Sequence, residues 1–179
     1  AWSLNELPLE LRPNAIVNWT NPLEKGQING STFVWEYEGR PVVIGQLFSY
    51  LTGAEKRSFC HVFTALTDKP VLGRRKGRDF WTPAVSSKSG WKELKAAGAP
   101  AENRQTRLLQ MRQIARQFDA FTEEASRGKR ILRLLPHPLY RSDEALKETD
   151  AGLFAYVVGT DPELMILIDC DLTEDSPTW

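Results

Sequence analysis

The chain has 179 residues, of which 41% are hydrophobic and 26% charged, a composition that sustains a packed core and excludes disordered, collagen-like and coiled-coil proteins. Its longest apolar run, Leu153 to Val158, falls far short of the ~20 residues of a spanning helix, which excludes an integral helical membrane segment. Twenty-three basic residues cancel twenty-three acidic ones, so no net field favours nucleic acid as a partner.

A length within the ~100–200 residues of one domain predicts a single domain over 1–179. The chain begins Ala1-Trp2 without methionine, as a mature chain trimmed of a signal peptide would. Cys60 and Cys170 are too few for a disulfide scaffold, and their bonding stays open.

In chain order, an edge strand is expected around Ala15 to Trp19. From Thr32 to Tyr37, Phe33, Trp35 and Tyr37 alternate with Thr32, Val34 and Glu36, the period of a strand. Glu38-Gly39-Arg40-Pro41 supplies a turn and Val42 to Tyr50 returns as the second arm of a hairpin. A third strand is expected from Ser58 to Leu66, with Phe59, His61, Phe63 and Ala65 on one face. The stretch 68–100 holds four Gly, three Pro and the cluster Arg74, Arg75, Lys76, Arg78, and reads as a long irregular loop.

Leu108, Met111, Ile114, Ala115, Phe118, Phe121 and Ala125 then recur at helical spacing, which predicts a core-facing helix over about 104–127, with Asn103 as N-cap and Gly128 as stop. Strands follow at Arg130 to Leu135, Gly152 to Val158 and Leu164 to Cys170, the last two joined through Gly159-Thr160-Asp161-Pro162-Glu163. An acidic, flexible tail is expected over about 171–179. This order predicts an α+β fold: an antiparallel sheet of about six to seven strands packed on one long helix.

His61 is the candidate general base, and would need a carboxylate supplied by the fold; a structural histidine is the plainer reading. His137, between two prolines, reads as part of a rigid exposed turn. Cys60 and His61 are adjacent on a strand and point to opposite faces, so they make poor joint metal ligands. Asp169 and Asp171 share a face and read as a solvated strand end. No phosphate loop, dinucleotide fingerprint or nucleophile elbow is present, and no metal or cofactor is expected.

Nine basic and three acidic residues fill Arg104 to Arg141, whereas eight acidic and no basic residues lie from Glu148 onward, so the two regions are expected to meet. Cations in the first turn oppose the helix dipole, and Arg107 falls inside the apolar arc as well. The binding reading gives Arg107, Arg133 and Arg141 a carboxylate or phosphate ligand. The alternative, which the chemistry favours, is an internal salt bridge to Asp161, Glu163 or Asp169. The cluster from Arg74 to Arg78 reads as a solvated loop rather than a nucleic-acid surface.

The runs Gln110-Met111-Arg112, Leu132-Arg133-Leu134-Leu135-Pro136, Pro138-Leu139-Tyr140-Arg141, Gly152-Leu153-Phe154-Ala155 and Gly159-Thr160-Asp161-Pro162-Glu163, with Asn21-Pro22 and Gly30 to Trp35 near the front, resemble a family of predicted exported bacterial proteins. The resemblance implies a bacterial source and export to the periplasm, cell surface or medium; no activity is assigned to that family. The chain departs from the pattern at His61-Val62-Phe63, where a His-Glu-Phe segment would stand. The functional expectation is a non-enzymatic exported domain that binds a partner protein or a small anionic ligand. The alternative is a hydrolase using His61.

Overall fold

A computed structural model describes residues 1–22, 27–52, 56–83, 90–124, 128–173 and 176–179. Strands hold 53% of it and helices 9%, so the expected α+β fold with a sheet on one long helix is overturned: the protein is mostly β, with several sheets and one short α-helix among the described residues. The chain forms two compact units, the first from Ala1–Asn18 and Lys25–Lys92, the second from Trp19–Glu24 and Glu93–Trp179.

The first unit carries β1 (Trp2–Leu4), β2 (Leu7–Pro8), β3 (Glu10–Leu11), the start of β4 (Val17–Asn21), β5 (Ile28–Tyr37), β6 (Arg40–Leu51), β7 (Arg57–Ala65), β8 (Val71–Arg75) and β9 (Arg78–Trp81). One sheet runs β2-β1-β8-β9; the other runs β3-β5-β6-β7, with β4 also paired to β5. The β5–β6 hairpin turns where the sequence places it, at Glu38 and Gly39, whose φ values of 49° and 74° suit a tight two-residue connection. Its core gathers Trp2, Leu4, Leu9, Val42, Val43 and Val71. Trp35 and Phe63 lie across Gly45, where a Cβ would come within 2.6 Å of one ring and 2.8 Å of the other. Glycine is needed there because two aromatic rings occupy the space of its side chain.

The stretch 68–100 is not an irregular loop throughout, because it contains the β8–β9 hairpin. Lys76 and Gly77, at φ 50° and 75°, form its turn. The cations that suggest a solvated loop sit at this tip, and the strand formers Val71, Phe80 and Trp81 flank them. Residues 84–89 of that stretch lie outside the described residues.

The second unit carries a 3-10 turn at Lys95–Ala97, α1 (Arg104–Ala115), β10 (Phe121–Glu124), β11 (Gly128–Ile131), β12 (Arg133–Leu134), β13 (Tyr140–Arg141), β14 (Thr149–Val158) and β15 (Asp161–Asp171). All ten residues of β14 are buried. It pairs with β15 along its length and also with β12 and β13, and the burial of both its faces accounts for its near-continuous apolar sequence. Met111, Ile114 and Ala115 of α1 pack with Phe154, Ile168, Cys170 and Trp179.

Asn103 caps α1, its side chain accepting from the amides of Gln105 at 2.7 Å and Thr106 at 3.2 Å. The helix stops at Ala115, twelve residues short of the expected end. The Tyr156 hydroxyl donates to the Ala115 carbonyl and, at 3.3 Å, to that of Phe118, so a distant strand satisfies the acceptors of the helix end. The chain then enters the β10–β11 hairpin and leaves Phe118 and Phe121 42% and 47% exposed. Ala125 and the expected end near 127 lie outside the described residues.

The β14–β15 turn falls at Gly159 and Thr160, while Pro162 sits inside β15 opposite Val157, beside a bulge. The expected flexible tail is held at its end. Trp179 is buried in the core, its carbonyl accepts from the Leu94 amide at 2.8 Å, and Thr178 pairs with Asp171. Residues 174–175 of that tail lie outside the described residues.

Candidate functional site

Two of the three arginines singled out in the sequence come together. Asp150 of β14 is buried, its side chain 1% exposed, and its carboxylate accepts from Arg107 Nε at 2.8 Å. Arg141 donates to both of its oxygens, from Nε at 2.9 Å and Nη2 at 2.8 Å. Further donations reach helix-start carbonyls: Arg107 Nη1 those of Ala101 and Glu102, Arg141 Nη2 that of Arg104 as well. Burial pushes the Asp150 carboxyl up, but the hydrogen bonds from Arg141 and Arg107 and the charges of Arg141 and Arg104 outweigh it and hold the group below its ordinary value. Arg107 thus has an internal carboxylate, as expected, but it is Asp150 rather than Asp161, Glu163 or Asp169. Arg133 lies apart, donating to the Gly159 carbonyl at 2.9 Å.

A different pair of arginines faces a pocket of about 190 Å³ lined by Arg112, Arg116, Leu134, Leu135, Pro136 and Phe154. Arg112 belongs to the last turn of α1 and Arg116 is its C-cap, so their spacing of four puts both on one helix face. Phe154 forms one wall because Gly152 leaves room for its ring: a Cβ there would lie 3.0 Å from the Met111 sulfur and 3.1 Å from the Phe154 ring. Leu135 is tied to β14 by its amide, which donates to the Ala155 carbonyl at 2.9 Å.

Arg112 Nη2 lies 2.8 Å from His137 Nδ1. A guanidinium only donates, so Nδ1 accepts and the other ring nitrogen carries the proton. Arg112 Nε is buried with no hydrogen-bond acceptor among the described residues. The Arg116 guanidinium is exposed and makes no hydrogen bond or ion pair among the described residues. The helix dipole favours cations at this end, yet like charges four apart repel. An oxyanion between the two guanidinium groups would relieve that repulsion.

Sequence reasoning passed over Arg112 and Arg116. The signal was the like-charged pair four residues apart, with Arg112 inside the Gln110-Met111-Arg112 run. His61 is exposed on β7, with its ring 5.2 Å from that of Phe63 and 6.3 Å from that of Phe80. Among the described residues no carboxylate partners it. No metal-holding cluster of His, Cys, Asp or Glu occurs among the described residues, and no helix is long and apolar enough to cross a membrane. No family model matches the chain, and neither a curated protein nor a solved structure matches it.

Proposed function

We propose that the protein is a binding protein for a small organic anion, a carboxylate or phosphate monoester on a short apolar body, held in the pocket at the end of α1. The observation that carries this reading is a pocket wall made by two arginines four residues apart, of which Arg116 makes no hydrogen bond or ion pair among the described residues. A carboxylate accepts from the exposed Arg116 guanidinium beside the charge of Arg112, while Leu134, Leu135, Pro136 and Phe154 cover the apolar body. The pocket is smaller than the ~300–1,000 Å³ of drug-sized sites, so it selects short ligands. His137 orients Arg112 by accepting its Nη2–H.

Thermal melts with acetate, butyrate, hexanoate, benzoate and phenyl phosphate test the reading. Affinity should rise with apolar bulk up to the size of the pocket, since each buried CH₂ adds ~0.8 kcal/mol. Ligand at about 100 times its Kd should stabilise the protein by ~2.7 kcal/mol. Arg116→Met should abolish that stabilisation and leave the unliganded melt nearly unchanged. A panel in which no anion raises the melting temperature, or in which Arg116→Met responds as the wild type does, overturns it.

A further inference from the structure

We infer that β7 is a docking edge for an extended, acidic segment of another protein, which adds to the sheet of the first unit as a further strand. Among the described residues β7 pairs only with β6 and ends its sheet. Among the described residues the backbone N–H and C=O groups on its outer side therefore have no strand to meet them.

Such edges are ordinarily blunted by lysine, proline, a bulge or short length, because a bare one is a template for further pairing. Ser58 to Ala65 contains neither lysine nor proline, and the ladder with β6 runs its nine residues without a register shift. Each face of this edge carries an exposed apolar side chain, although Phe63 and Ala65 pack against the core. Phe59 is 81% exposed on one face and Val62 49% on the other, and Leu47, opposite His61 on β6, is 43% exposed. The Phe59 face continues through His61 and Phe63 to Phe80, whose ring lies 5.9 Å from that of Phe63. Main-chain bonding along the edge, with alternate side chains seated on these residues, is the chemistry of strand addition.

Charge selects the incoming strand. The neutral chain divides unequally: the first unit holds twelve basic against seven acidic residues, the second eleven against sixteen. Within the first unit, Arg75, Lys76 and Arg78 are exposed at the β8–β9 tip with no acidic partner among the described residues, while Asp79 is taken by Arg74 at 2.9 Å. Two copies of this unit meeting edge to edge would bring like charges together, whereas an acidic strand meets complementary ones. The row of unmatched main-chain groups favours a polypeptide over a nucleic acid, which has no ladder to offer them.

The full chain is titrated with the synthetic peptide acetyl-Glu-Val-Glu-Phe-Glu-Val-Glu-amide, followed by amide NMR shifts and calorimetry. Binding should perturb the amides of β7, weaken at least tenfold in Phe59→Ser and in Val62→Ser, and weaken as salt rises. Arg78→Glu, a change at the hairpin tip, should weaken the acidic peptide and strengthen its Lys-for-Glu counterpart. The proposal is overturned if the Lys counterpart binds the wild type as tightly, if a proline at the centre of the peptide leaves binding intact, or if the serine variants bind normally. It is equally overturned if a single-stranded oligonucleotide binds the same residues more tightly, or if the free chain dimerises through an edge that Val62→Lys disrupts.

Discussion

Replacing Asp150 by Asn removes one charge and keeps nearly the same shape, so its cost isolates what the carboxylate does for the two arginines. The native group accepts three charge-assisted bonds at 2.8–2.9 Å. Its side chain is 1% exposed, that of Arg107 9% and that of Arg141 19%. Asparagine offers a single acceptor oxygen and turns an NH₂ toward a guanidinium, donor against donor. The two cations are then left together, one of them nearly out of water. Breaking a buried pair from one side costs about 3–5 kcal/mol, and the carbonyls of Ala101, Glu102 and Arg104 keep the figure within that range by holding Arg107 Nη1 and Arg141 Nη2. Urea unfolding followed by far-ultraviolet dichroism and tryptophan fluorescence measures it. Asp79→Asn at the exposed Arg74 pair is the control and should cost no more than about 1 kcal/mol. A loss below about 1 kcal/mol in Asp150→Asn would refute the assignment of this triad as the anchor of the helix start.

The depressed Asp150 carboxyl contributes stability that is present above its unfolded value of about 3.9 and is lost as pH falls through its lower native value. The gap in stability between wild type and Asp150→Asn should therefore narrow from pH 6 to pH 3; a gap constant over that range contradicts the linkage. Gly45→Ala forces a Cβ against the Trp35 and Phe63 rings and should cost ~1–3 kcal/mol by overpacking, with a changed near-ultraviolet dichroism; an unchanged melt would show that the rings can move aside. The Cys170 thiol is pushed up to about 12, chiefly by burial, with Arg107 opposing and Asp150, Asp169 and Asp171 reinforcing the rise. An aromatic disulfide reagent at pH 8 should modify the half-buried Cys60 and leave Cys170 untouched until the chain is unfolded. Equal rates at both thiols would contradict the packing around β15.

What was legible in the sequence was local. The β5–β6 hairpin rests on alternation and on Gly39, and the start of α1 on Asn103, all within a few residues of the structure they specify. The end of α1 was hidden, because the apolar stripe continues past Ala115 and the hydroxyl that takes its carbonyl comes from Tyr156, 41 residues later. Reading on through Phe118 and Phe121 turned a short helix into a long one, and the fold class followed it. The β8–β9 hairpin was hidden by its own turn, since Arg74 to Arg78 shows solvated charge and conceals the pairing on either side. Arg107 announced its need for a carboxylate, but choosing Asp150 required knowing that α1 packs on β14. The pocket was least legible, since Arg112 meets Leu134 and Phe154 only once the helix lies on the sheet.

The segment Trp19–Glu24 belongs to the second unit although the chain on both sides of it builds the first. Thr20 exchanges hydrogen bonds with Thr160, the Asn21 amide donates to the buried Asp161 at 3.1 Å, and Pro22 fills the space beside Gly159. No single cut therefore yields two intact halves. A fragment beginning at residue 93 would leave Asp161 without the Asn21 amide and lack the Trp19 indole, which is 4% exposed in the whole chain. Dissection of this protein for expression or for binding studies is better done by supplying residues 19–24 in trans, or by a permuted chain that carries them ahead of residue 93, than by truncation.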